Sequence, residues 1–129
     1  MELWGTIILC SIIPVMMLIT GLFAKMGLPK RVNWVVGYRT TLSCKNQDTW
    51  AFAHKHLGRS WSFIGVILFI LSIGFLLLLH FADIEVYAEI VIPITMITQL
   101  VVMSLMIIPT EVALRKEFDK NGIRKQKQD

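Results

Sequence analysis

Three long apolar stretches divide the chain, at Leu3 to Ala24, Trp61 to Ala82 and Val86 to Ile108. Each matches the roughly 20 residues that a helix needs to cross a bilayer core, where the backbone must satisfy its own hydrogen bonds. Between the first two lies a polar and aromatic insert, residues 25–60. Within it Trp50, Ala53, His54 and Leu57 recur at i, i+3, i+4 and i+7, one face of the 3.6-residue period. Asn46 is a good N-cap, Asp48 suits the positive end of a helix, and Gly58 reads as a C′ stop. A short amphipathic helix from Gln47 to Leu57, lying in the membrane interface, is therefore expected. The fold class is an all-α membrane protein with three transmembrane helices and an interfacial helix between the first two.

Polar interruptions inside the spans refine this. Pro14 removes a backbone hydrogen bond from the middle of span one, and a neighbouring helix is expected to satisfy the freed carbonyl. Span two carries Ser62, Gly65, Ser72 and Gly74, small residues of the kind that let helices approach closely. In span three Thr95 and Gln99 share a face one turn apart, which should point into the bundle. The connection from Phe81 to Tyr87 is short enough to force an antiparallel hairpin. Beyond Pro109 the pattern stays helical, with Leu114 and Phe118 at i and i+4 and Glu111 set against Arg115 at the same spacing. Residues 1–118 read as one membrane domain, and 119–129 as a disordered basic tail.

With 129 residues, 55% of them hydrophobic, and a mean hydropathy of +0.64, the chain is too apolar for an ordinary soluble domain. Glu2 precedes span one in place of a basic region, so that span reads as retained rather than as a signal peptide. Charge sorts by segment. Lys25, Lys30, Arg31, Arg39, Lys45, Lys55 and Arg59 face a single Asp48 between spans one and two, and more bases follow span three. The connection between spans two and three carries Asp83, Glu85 and Glu89 and no base. The positive-inside rule thus puts the insert and the C-terminus in the cytoplasm and the N-terminus outside. The net charge of +4 is explained by bases flanking spans, where orientation and anionic lipid account for them, so nucleic acid is not an expected partner.

Candidate chemistry is sparse. His54 and His56 are two residues apart on a helix and face different sides, unlike the i, i+4 pair of a zinc helix, and no metal site is expected. His80 lies close to one membrane boundary, where an interfacial role outweighs haem ligation. No G-x-S-x-G, Walker loop or H-E-x-x-H occurs, so no catalytic residue and no cofactor is expected. Cys10 in a span and Cys44 in the insert are not expected to pair.

The run G-Y-R-T at 37–40, then S-x-K-N at 43–46 and W-x-F-A at 50–53, resembles the signature of the SdpI family of small bacterial membrane proteins. The tail P-T-E-V-A-L-R-K-E-F-D, 109–119, is similar to the end of the same domain. The resemblance marks Asn33, Gly37, Tyr38, Arg39, Thr40, Ser43, Lys45, Asn46, Trp50 and Ala53, with Glu111, Leu114 and Phe118 in the tail, as binding or structural residues, and the polar stripe of span three adds Gln99 as an interhelical or intersubunit hydrogen bond. The resemblance implies a multi-pass protein of the bacterial cell membrane that gives immunity against a membrane-active peptide toxin. The partners it implies are the bilayer, a toxin peptide at the outer face and a cytoplasmic regulator; a second copy of the chain is a further partner, required if three helices are to enclose a transport path. An oligomeric transporter or channel, or a regulatory subunit of another membrane protein, is the alternative. Two readings of Glu111 stand open: a clamp on Arg39 in a partly desolvated crevice, or a pair with Arg115 while Arg39 reaches toward phosphate.

Overall fold

The computed structural model describes residues 3–83 and 88–126. It holds four helices, α1 (Leu3–Lys25), α2 (Gln47–Phe81), α3 (Ala88–Leu105) and α4 (Ile107–Glu117). Three stretches are long and apolar enough to cross a membrane, in α1, in α2, and from Glu89 to Glu117 across α3 and α4. The expected spans therefore match in number and order. Glu85 and Tyr87, in the connection between the second and third spans, lie outside the described residues.

The largest departure from expectation is α2. It does not stop at Gly58 but runs as one helix for 35 residues, about 50 Å at 1.5 Å per residue. A bilayer core is about 30 Å thick, so the helix is roughly 20 Å longer than a span needs. No separate interfacial helix Gln47–Leu57 exists. Gly58 instead serves the crossing with α1: a Cβ there would sit 2.7 Å from the Gly21 carbonyl oxygen, and one on Gly21 would sit 2.7 Å from the Ser62 nitrogen. Two bare α-carbons let the helices touch backbone to backbone. About two helical turns further on, a Cβ on Gly65 would meet the Pro14 carbonyl and the Leu18 nitrogen at 3.1 Å.

The carbonyl that Pro14 leaves without a helical partner belongs to Cys10. The Gln99 side-chain amide donates to it at 2.9 Å and to the Ser72 hydroxyl at 2.7 Å. One side chain of α3 thereby ties α1 and α2 together in the middle of the bundle. Gln99 is 2% exposed, as the stripe predicted for span three requires. Pro109 similarly cannot donate to Leu105, and the helix changes at Met106, where α3 gives way to α4.

Candidate functional site

The insert that carries the signature is built as a latch on the projecting half of α2. Trp50, Ala53, His54 and Leu57 are all buried, so the predicted face is real. Protein covers it rather than lipid. Leu114 and Phe118 of α4 and its C-cap join Tyr38, Ala53 and Leu57 in one apolar cluster, with the Phe118 ring set edge-on to Phe52 at 5.5 Å.

Most of the signature residues have a mechanical reason. Gly37 has φ +120°, a conformation that L side chains rarely adopt, and a Cβ there would lie 2.5 Å from His54 Nε2 and 2.9 Å from the Trp50 ring. Only glycine lets the loop press onto the helix at that point. The next residue uses this closeness: the Tyr38 backbone N–H donates to His54 Nε2 at 2.9 Å. Because Nε2 accepts, the imidazole is neutral, and its Nδ1–H donates to the Trp50 carbonyl at 2.8 Å. Burial holds His54 below the usual histidine range, which favours this neutral form. The Trp50 indole N–H donates in turn to the Pro29 carbonyl at 2.8 Å.

Tyr38 also reaches the other way. Its hydroxyl donates to Glu111 Oε2 at 3.1 Å, and burial with the nearby carboxylate pushes the phenol well above the usual tyrosine range. Glu111 pairs with Arg115 at 3.5 Å. The clamp between Glu111 and Arg39 does not form: Glu111 is taken up by Tyr38 and Arg115, and Arg39 points into the exposed rim of the loop with no ion pair within 4.0 Å among the described residues.

Thr40 and Ser43 close a small turn, each backbone N–H donating to the other's hydroxyl, while the Ser43 hydroxyl donates to the Tyr38 carbonyl at 3.0 Å. Asn46 caps α2 by accepting from the Asp48 and Thr49 N–H groups, and the Thr49 hydroxyl returns the favour to the Asn46 N–H. The Asn46 amide donates further to the Gly122 carbonyl at 2.7 Å. Asn33 shapes the outer tip by accepting from the Val35 and Val36 N–H groups. Lys45 is exposed beside this turn, with no fixed partner for its ammonium group among the described residues.

The described part of the tail, residues 119–126, makes specific contacts with α2 and α4. Asp119 accepts from the Asn121 and Ile123 N–H groups, and Arg124 pairs with Asp48 and Glu117 while stacking over Phe118 at 4.9 Å. Residues 127–129 lie outside the described region. A tail of this composition has little to bury by itself; it is held because α2 projects far enough to offer Asn46 and Asp48.

Sequence reasoning missed His54 as the acceptor that seats the loop, Thr49 as the second half of the cap, and the contact between His56 Nδ1 and the Thr110 hydroxyl at 3.1 Å. Only the Asn46-x-x-Thr49 spacing was readable in advance, as a capping-box pattern. The other two join residues 16 and 54 positions apart, for which no local signal exists.

These parts define a three-span helical membrane protein whose first loop is locked onto a projecting helix. The chain belongs to the SdpI/YfhL protein family, which matches residues 30–110. That match takes in the loop, spans two and three and the first turn of α4, and stops just before Glu111. No curated protein and no solved structure matches the chain.

Proposed function

We propose that this chain is a non-enzymatic immunity protein of the bacterial cell membrane that protects against a membrane-active peptide toxin. Membership of the SdpI/YfhL family is the observation that carries the reading, and three helices able to span a bilayer are consistent with it. In this reading the latched end faces the cytoplasm, because its loop and tail hold most of the bases. The opposite end carries Asp83 and Glu89, an acidic surface complementary to a cationic peptide. The latched end supplies a rigid platform for a cytoplasmic regulator, and copies of the chain associate through the lipid-facing surfaces of the spans.

Survival tests this. A toxin-sensitive bacterium expressing the chain should withstand a cationic membrane-active peptide that kills the parent strain, and Asp83→Asn with Glu89→Gln should reduce that protection. Equal killing with and without a verified, membrane-inserted chain rejects the reading. Cys44 should react with a membrane-impermeant maleimide only after permeabilisation; labelling of intact cells would reverse the orientation.

A further inference from the structure

Where α1 ends and the latch begins, a crevice of about 690 Å³ opens between α1, the loop, α2 and the first residue of α4. Ligand pockets typically measure about 300–1,000 Å³. Its walls are largely apolar, from Phe23, Leu28, Val36, Trp61 and Ile107. Arg39 stands at its rim as an exposed cation without an ion pair among the described residues. Glu111 is already engaged by Tyr38 and Arg115, so it does not neutralise that guanidinium. Trp61 has its indole N–H buried without a hydrogen-bond partner.

Position matters as much as lining. The crevice lies where α1 terminates at Lys25 and where Trp61 opens the apolar part of α2, the depth at which tryptophan and basic side chains meet headgroups. Its outer lip runs into an apolar tip, Trp34 91% exposed and Val35 85% exposed, with Lys30 and Arg31 just before it. A greasy slot with a single free guanidinium at its mouth, set at headgroup depth and approached through a basic loop, complements a chain bearing an anionic head.

We propose that this crevice holds one anionic phospholipid, an acyl chain packed against Phe23, Leu28, Val36 and Ile107 and the phosphate paired with Arg39. The site is independent of any toxin and of the immunity reading. It would make seating of the loop sensitive to the lipid composition of the membrane.

Native mass spectrometry of the full chain tests this, after solubilisation and exposure to mixed micelles of equal phosphatidylglycerol and phosphatidylcholine with identical acyl chains. The chain should retain a single phosphatidylglycerol, with about fivefold preference, the effect of one basic side chain at an anionic headgroup. Arg39→Gln, at an exposed position that leaves the fold intact, should abolish the preference, and Val36→Trp, filling the slot from an exposed position, should reduce retention of both lipids. Lys116→Gln, exposed on α4 and outside the crevice, should leave retention unchanged. Equal retention of the two lipids by the unmodified chain, a preference that survives Arg39→Gln, or displacement of the lipid by inorganic phosphate alone would each overturn the proposal.

Discussion

The centre of the bundle and its latched end are held by opposite means. Around Gln99 one amide serves three helices, and α1 and α2 pack Cys10 with Leu76 and close backbone to backbone at Gly21, Gly58 and Gly65. Around Tyr38 many ordinary hydrogen bonds share the work: His54, Ser43, Thr49, Asn46, Trp50 and Glu111 each contribute one or more. The difference follows from solvent. In lipid a polar group is costly unless paired, so few are present and close packing does the holding. At the interface water competes for every bond, each nets only about 1 kcal/mol, and specificity has to come from number and from one shape constraint at Gly37.

The comparison predicts graded responses in detergent-solubilised protein. The largest belongs to the close crossing: Gly58→Leu should push α1 off α2 and cost about 3 kcal/mol or more, read as a collapse of the thermal transition. A second cut at the centre is Gln99→Leu, which strands the Cys10 carbonyl and should cost about 1–2 kcal/mol. Adding Pro14→Ala supplies a backbone N–H to that carbonyl and should recover much of the loss; a double variant no more stable than Gln99→Leu alone would refute the link between Pro14 and Gln99.

At the latched end single changes should matter less. Tyr38→Phe removes one partly buried bond to Glu111 and should cost about 0.5–1.5 kcal/mol, with the spans intact by far-ultraviolet circular dichroism. Acidification should act there too. His54 and His56 both sit below the ordinary value of 6.5, so the folded chain resists a proton that the unfolded chain takes. Their contribution is complete above that value and is lost as pH falls from 6.5 toward the depressed folded values. Melting temperature should drop over that window, with a slope reduced by His54→Gln; a flat profile would show that the neutral imidazole does not seat the loop. The smallest effect is expected from Arg124→Ala, whose pairs with Asp48 and Glu117 are solvent-exposed, and it should vanish in high salt.

Much of this was legible along the chain, for stated reasons. Apolar runs of spanning length have few alternatives in water or lipid, so the three spans could be read directly. Period and spacing were equally dependable: the face of Trp50, Ala53, His54 and Leu57, the Asn46 cap, the inward stripe at Gln99, and the loss of a bond at Pro14 all depend on neighbours within a turn or two.

What the sequence left open was whatever joins distant segments. A glycine reads the same as a stop and as a contact point, and only the tertiary structure, in which α2 runs on through Gly58 and packs there against Gly21, distinguishes the two. From that one continuation follow the buried rather than lipid-facing cover of its aromatic face, the docking of Tyr38 on His54, the capture of Glu111 by Tyr38 instead of Arg39, and the contacts of the tail. Local chemistry determined which elements form, because propensity and hydropathy act over a few residues; the tertiary structure decided which of them meet, because close packing depends on shapes that are complete only when the helices come together.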